Sequence, residues 1–470
     1  MTHRKDNPYQ NLFDAQKQRQ SVIAQTSAKE RLAKLNRLHT AVTKTFKDDI
    51  RQALASDFKK PQVETDLTEI YLVVSEIKHA KAHLRRWMAK QHVNTPIALL
   101  GTSSYYTYEP KGVCLIISPW NYPLSLSFSP LVSAISAGNT AIIKPSEYTP
   151  NSSKVISKII DSIYEASEVV VIEGEVETAS QLLELPFNHI FFTGSTSVGK
   201  LVMEAASKHL ASVTLELGGK SPTFIDGTAD LKYAARSIIW TKFLNNGQTC
   251  IAPDYILIAE EIKEEFVKHC KYYIQKFYGD EPESSDDYSR TVNQSHFNRL
   301  KDYLKEAKQK NAHFEHGGNV FSEENYIEPT IISELPKDIK LLNEEIFGPI
   351  LPILTYKSLD EAIDYVNEKE KPLSLYIYSK SKASINRLLR ETSAGTTGIN
   401  NVGFQFVNNH LPFGGVNHSG IGKSHGFFGF EEFSNKRAVL KRNFTGPISL
   451  LRPPYTKWVQ KLTDLTIKWF

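Results

Sequence analysis

The chain has little cysteine, no long apolar run and almost no imbalance of charge, and each shortage excludes a class of protein. Three cysteines (Cys114, Cys250 and Cys270) occur among 470 residues, an odd number at unrelated spacings. They cannot make a disulfide framework, so a reducing compartment is expected. No uninterrupted apolar stretch approaches the roughly 18 residues that a membrane-spanning helix needs. The polar start Met1-Thr-His-Arg-Lys-Asp-Asn7 lacks the apolar core of a signal peptide. Lys and Arg number 56 against 52 Asp and Glu, a net charge of +4. That balance, with no zinc-finger spacing and no long basic helix, argues against a nucleic-acid partner. The expectation is a soluble, cytoplasmic protein.

What is present is an ordinary globular composition over a length that implies two or three domains. Residues 10–90 are rich in Lys, Gln, Ala and Leu and read as surface helices. Residues 99–110, with the run Thr102-Ser-Ser-Tyr-Tyr-Thr-Tyr108, read as an extended strand or hairpin standing off the body. From Gly112 the pattern changes to short β-branched runs at 113–117, 141–143, 169–172, 190–192 and 213–217. Helical stretches at 124–137, 152–165, 175–183 and 198–209 lie between them. Such alternation builds βαβ units and a parallel sheet. Ligands of these sheets gather at the carboxyl ends of the strands, where Ser118-Pro-Trp-Asn121, Lys144-Pro-Ser-Glu147 and Thr193-Gly-Ser-Thr-Ser-Val-Gly199 would all fall. A second alternation follows Gly218, with helices at 231–244, 261–277, 294–308, 359–369 and 384–391 and strands such as 256–259, 351–356 and 373–378. Residues 280–287 read as an acidic exposed loop, and Gly-rich turns crowd 411–429.

Near the start of the second unit, Asn245-Asn-Gly-Gln-Thr-Cys250-Ile-Ala-Pro-Asp254 places one cysteine on a polar turn between a helix and a strand. There a substrate and backbone N–H donors could both reach it. By contrast, Cys114 lies in an apolar strand and Cys270 on a helix, and both read as packing residues. Glu216 stands between Leu215 and Leu217 in a strand-like run, where an unpaired carboxylate is costly and its pKa is driven upward. Gly194-Ser195-Thr-Ser-Val-Gly199, after a strand and before a helix, is a phosphate-binding pattern but not G-x-G-x-x-G. The tail 457–470 carries Trp458, Leu462, Leu465 and Trp469 at helical spacing with Lys457, Lys461 and Lys468. Docking on its own protein or a dimer mate is the plainer reading, and peripheral membrane contact the sharper one.

Taken together, Ser118-Pro-Trp-Asn-Tyr-Pro123, Lys144-Pro-Ser-Glu147, Phe191-Phe-Thr-Gly-Ser195, Leu215-Glu-Leu-Gly-Gly-Lys220, Gly247-Gln-Thr-Cys250, Glu344-Glu-Ile-Phe-Gly-Pro349 and Leu411-Pro-Phe-Gly-Gly415 resemble the NAD(P)-dependent aldehyde dehydrogenase superfamily. The motifs stand in family order, and the resemblance runs from the first helices to about Tyr455. The compact length, the segment after Cys250 and Arg452-Pro-Pro-Tyr455 look most like class 3, the fatty and aromatic aldehyde dehydrogenase branch.

The resemblance implies an α/β fold with a Rossmann-type cofactor domain (1–98 and 111–217) and a second α/β catalytic domain (218–410). It also implies oligomerisation elements at 99–110 and 411–445 that give a homodimer, and a tail at 446–470. Cys250 is the implied nucleophile, because a thiohemiacetal alkoxide expels hydride where a free aldehyde does not. Asn121 and the Cys250 backbone N–H are the implied donors to that alkoxide, and Glu216 the implied base for thioester hydrolysis. For NAD or NADP, the implied contacts are Trp120, Lys144, Glu147, Gly194, Ser195, Gly199, Glu345 and Phe347, with no metal. Glu147 near the ribose 2′-hydroxyl leans the preference toward NAD.

The sequence departs from the class at Asn417, where Gly is usual. A positive φ there suits Asn better than most residues. It also lacks the long apolar anchor of membrane-bound members. Three competing readings are a cofactor-free thiol esterase, a CoA-acylating relative and a catalytically silent scaffold. Retention of Lys144, Glu345 and Phe347 weighs against the first, Glu216 against the second, and Cys250, Glu216 and Asn121 together against the third.

Overall fold

A computed structural model describes residues 7–469. All but Asn7 of the polar N-terminal segment, and Phe470 of the tail, lie outside the described residues. Two sheets of mainly parallel strands dominate the structure, and the sequence explains why both are buried. Strands such as Val113–Ile117 and Tyr255–Ala259 are apolar along their whole length and covered on both faces.

The first sheet has five parallel strands in the order Ser212–Leu217, His189–Gly194, Val113–Ile117, Thr140–Lys144, Val169–Val171. The chain starts at the central strand, winds outward twice, then returns to the other side of its starting point. This creates a topological switch point between Val113–Ile117 and His189–Gly194, where doubly wound sheets bind ligands. The two-residue strand Gly420–Ile421 closes one edge in antiparallel pairing, with Gly420 opposite Glu216. The helix Pro123–Ala137 begins with Pro at its first turn, ends at Gly138 (φ 89°), and is almost entirely buried.

The second sheet orders its strands His313–His316, Thr330–Ser333, Ile350–Tyr356, Tyr255–Ala259, Pro222–Ile225, Ser374–Tyr378, Thr396–Ile399. All of its pairs are parallel except the first. The segment expected as a strand or hairpin at 99–110 is the strand Thr102–Pro110. It makes no hairpin with itself: it pairs with Ser434–Arg442 over nine residues, and Gln91–Val93 flanks its other edge. The helical reading of 10–90 corresponds to a series of helices from Gln10–Ile23 to Tyr71–Trp87. One of them, Ala28–Thr40, is closed by a Ser27–Glu30 capping box. Among the described residues no helix is long and apolar enough to cross a membrane.

Candidate active site

The loop before Cys250 is held in a conformation that few sequences tolerate. Asn245 (φ 53°), Asn246 (φ 56°) and Gly247 (φ 72°) are consecutive left-handed residues. Asn and Gly are the residue types that adopt this region most readily. A Cβ at Gly247 would approach the Gly348 carbonyl oxygen to 2.4 Å, so no side chain fits there.

Buried hydrogen bonds fix each residue of the turn. The Asn245 N–H donates to Glu64 Oε2 (2.9 Å), and its Nδ2 to the Asn121 carbonyl (2.9 Å). Asn246 Nδ2 donates to the Ser289 carbonyl, and Gln248 Nε2 to the carbonyls of Asn245 and Arg290. Asn121 is buried and its Nδ2 donates to the Gln248 carbonyl at 3.0 Å, two residues before Cys250, which leaves its second N–H for another acceptor. The Tyr122 hydroxyl meets Thr249 Oγ1 at 2.6 Å. The thiol itself is half-buried. Burial first, then the carboxylates of Glu345 and Glu216, push its pKa up to about 12. The resting form is therefore the thiol, and a base must take its proton before it can attack.

Glu216 is the candidate for that base. In the strand Ser212–Leu217 its neighbours Leu215 and Leu217 pack into the core on one face, so Glu216 points from the other. It is 6% exposed, and among the described residues neither carboxylate oxygen has a hydrogen-bond partner. Burial pushes its pKa up to about 8, with Ser424 and Lys423 drawing it partly back. Cys250 and Glu216 line one cavity of about 40 Å³, shared with Thr193, Phe413, Ser424 and His425.

On the other side of the site the cofactor candidates gather at the strand ends. Ile117 is in register with Lys144 and with Phe192, and Gly194 with Leu217, so the segments that follow share one edge. Lys144 is buried and its Nζ donates to Glu147 Oε2 at 2.7 Å. Ser195 caps the helix Thr196–Ser207, accepting from the Val198 N–H, with that helix's N-terminus at the switch point. Gly199 packs its helix onto the sheet, because a Cβ there would meet Leu217 Cδ2 at 2.7 Å.

Glu345 lies directly against Gly218, where an added Cβ would fall 2.1 Å from its Oε2. Burial and the nearby Asp254 push Glu345 up to about 7, against the Gly219 N–H, Lys220 and Arg299. Phe347 has φ 48°, an unusual conformation for an aromatic residue, and meets Trp120 edge-to-face at 5.3 Å. A dinucleotide fits this donor set: a helix N-terminus and Ser195 for phosphate, the Lys144–Glu147 pair for ribose hydroxyls, and a carboxylate with two aromatic rings beside the thiol.

Sequence reading missed the residues that hold this arrangement. Asp254 pairs with Lys220 and accepts from the Ile346 N–H at 2.9 Å, tying the cysteine loop to the Glu345 segment. Lys220 Nζ also donates to the carbonyls of Leu341 and Glu344. Lys60 and Glu69, both fully buried, pair at 2.9 Å, and Lys60 lies over the Tyr122 ring at 4.1 Å. The His296 ring lies tilted against Trp120 at 4.9 Å, and burial lowers its pKa to about 4. Lys220 and Asp254 stand within or beside the motifs, and their charge amid apolar runs was the available signal. Asn417 has φ 56°, as its substitution for glycine suggested, and its Oδ1 accepts from Lys371 Nζ at 2.9 Å.

Comparison with known proteins identifies the family and the fold. The sequence profile described as the aldehyde dehydrogenase family matches residues 3–439. The chain is 44% identical over 427 residues to 4,4'-diaponeurosporen-aldehyde dehydrogenase of Staphylococcus aureus, covering 91% of this chain and 92% of that protein. It is 41% identical over 425 residues to aldehyde dehydrogenase family 3 member A2 of Rattus norvegicus, covering 90% and 87%. A solved substrate-bound structure of Staphylococcus aureus AldH superposes with a TM-score of 0.93 at 41% identity, over 97% of this chain and 99% of that one.

Proposed function

The chain belongs to the aldehyde dehydrogenase family, and on that premise we propose how its residues divide the work and which aldehydes it takes. The activity is oxidation of an aldehyde to the carboxylic acid with NAD or NADP. The observation that carries the division of roles is that Cys250 and Glu216 line one cavity, with the carboxylate buried and unpartnered among the described residues.

In this reading Glu216 takes the thiol proton and the Cys250 sulfur attacks the aldehyde carbon. The free N–H of Asn121 and the Cys250 backbone N–H then stabilise the oxyanion. Bound at the switch-point edge, the nicotinamide supplies the hydride acceptor. Trp120, Lys144, Glu147, Gly194, Ser195, Gly199, Glu345 and Phe347 are the residues that would hold and orient it. Glu216 next activates the water that releases the acid from Cys250. The unpartnered carboxylate beside the thiol argues against acyl transfer to CoA, because that transfer needs no base for water.

The substrates are medium- or long-chain aliphatic, or aromatic, aldehydes. Trp240 and Phe404 support this, their rings 5.5 Å apart and both well exposed, with buried Tyr122 against the cysteine loop. The antiparallel pair Thr102–Pro110 and Ser434–Arg442 is the proposed homodimer element. The setting is cytoplasmic, with the tail in peripheral contact with membrane. The test is reduced-nicotinamide formation by the purified protein with NAD or NADP and alkanals of increasing length, plus benzaldehyde. Turnover should rise with chain length. A preference for the shortest alkanals would overturn the substrate class.

A further inference from the structure

The reaction of an aldehyde, water and a hydride acceptor to give a carboxylate releases two protons net. The proton the thiol loses on attack is made good when the carbon–sulfur bond breaks, and both protons of the water are lost. Glu216 can carry only one at a time, and it is buried. The thiol proton it takes on attack must therefore leave before it can accept one from water. The sulfur is then bonded to the acyl carbon and cannot take it back, and Asn121 offers no route.

The cavity behind Cys250 shows a way out. Besides Glu216 it is lined by Thr193, whose buried hydroxyl also has no hydrogen-bond partner among the described residues, and by Glu76 and His425. Its volume of about 40 Å³ exceeds the roughly 10–15 Å³ that one water molecule requires. Most of its lining is apolar, and the unpartnered oxygens of Glu216 and Thr193 are the polar partners that hold a water there. His425 and Glu76 are both buried and share a 2.5 Å hydrogen bond through Nδ1, while Glu76 Oε2 accepts from the Gly426 N–H at 3.0 Å. With Nδ1 donating to the carboxylate, Nε2 carries the lone pair, and no residue among those described hydrogen-bonds to it.

Beyond the pair, the helix Tyr71–Trp87 carries Glu76, His79 and His83 on one face, spaced three and four residues apart. The ring of His79 stands 4.4 Å from that of His83 and 4.6 Å from that of His410, which is exposed. His79 is half-buried; burial, with His83 and His410 beside it, lowers its pKa, so it gives up a proton readily. The rings of Phe406 and Phe413 pack edge-on against His425 at 4.4 and 5.4 Å. Of the charged groups nearby in the chain or bound to it, Lys423 donates to the carbonyls of Gly414 and Gly415, and Glu432 accepts from the Lys423 N–H and Thr214.

We propose that the His425–Glu76 pair accepts protons from Glu216 through water in this cavity and passes them to the histidines at the surface. On attack the thiol proton goes to Glu216. In hydrolysis the water oxygen bonds to the thioester carbon, one water proton goes to Glu216, and the acid loses the other. The carbon–sulfur bond breaks to a thiolate that regains one proton, so the surplus proton is the one left on Glu216 before hydrolysis. The protonated Glu216 hands it on, and His425 becomes an imidazolium held by Glu76 until His79, His83 and His410 release the proton to solvent. His425 thus acts through Glu216 and touches no substrate.

The inference rests on the roles proposed for Cys250 and Glu216, and its test needs no nicotinamide. p-Nitrophenyl acetate acetylates Cys250 directly, and decay of the acetyl-enzyme is followed by intact-mass spectrometry across pH 6–9. His425→Asn keeps a donor for Glu76 and tolerates the φ of 73° at this position, but removes Nε2. It should slow decay by about tenfold or more at neutral pH, a fraction of what direct acid–base groups supply, with acetylation unchanged. Glu76→Gln should give a smaller loss and shift the pH profile of decay. Wild-type decay rates in both variants, or equal losses in acetylation and decay, would overturn the proposal. A wild type that hydrolyses the ester but oxidises no aldehyde would sink the dehydrogenase reading and leave this one standing.

Discussion

The Cys250 loop and the C-terminal helix are both short polar-and-apolar segments prominent in the sequence, yet the fold treats them oppositely. Three consecutive left-handed residues precede Cys250, and partners as distant as Glu64 and Ser289 hold them. The helix Lys457–Trp469 has a single buried residue, Val459, and leaves Trp458, Leu465 and Trp469 exposed. Hydrogen bonds from several elements leave the loop one geometry, as a reacting sulfur requires. The helix is free to meet something else. The lesson is that precision at this site comes from buried polar scaffolding, not from the motif residues alone.

The largest effect that can break the comparison is at the sulfur. Cys250→Ala should abolish aldehyde oxidation, by at least about a thousandfold, while the circular dichroism spectrum and melting temperature stay near wild type. Retained oxidation would remove the loop's claim to chemistry. Asn121→Ala comes next. It deletes both the free donor and the tether to Gln248, and kcat should fall roughly 100- to 1,000-fold. A rise in KM with unchanged kcat would instead make Asn121 a substrate-binding group.

Glu216→Gln separates function from stability. With its pKa pushed up to about 8, Glu216 becomes a competent base only as pH rises through that value, so thioester hydrolysis should climb between pH 7 and 9. The stability sign is opposite. The folded pKa lies above an ordinary value near 4.3, so the folded state keeps a proton that the unfolded state has lost, and stability falls as pH rises between the two. Removing the charge should therefore raise stability by about 1–3 kcal/mol at pH 8 and much less near pH 4, while hydrolysis collapses. Denaturant melts at both pH values check this.

Much of the site was legible because its chemistry sits in local runs. Cys250 and Glu216 each stand out against their immediate neighbours, and strand–helix alternation gave both parallel sheets. The scaffolding was not legible, because its partners are far apart in sequence. Glu64 and Asn245 are 181 residues apart, and Glu76 and His425 are 349 apart. No local pattern records such a pairing. Short edge strands such as Gly420–Ile421 have too few residues to show a period. The nine-residue pairing of Thr102–Pro110 was hidden for a related reason. Its partner Ser434–Arg442 is rich in Lys and Arg and mostly exposed, so it reads as a basic surface segment.

The smallest expected effect sharpens the comparison from the helix side. Trp458, Leu465 and Trp469 follow one face at spacings of seven and four, with Lys457, Lys461 and Lys468 beside them, while Val459 and the partly covered Leu462, Thr463 and Thr466 face the protein. Deleting residues 457–470 removes little buried area, so the melting temperature should fall by less than the equivalent of about 1 kcal/mol. Oxidation of a short soluble alkanal should be unchanged. What should disappear is co-sedimentation with vesicles containing anionic lipid, because tryptophan at the headgroup level and adjacent lysines are the contacts such a surface offers. If the truncated chain instead becomes monomeric while vesicle binding persists, the exposed face belongs to a second copy. The tail would then be held by protein on both sides, as the cysteine loop is.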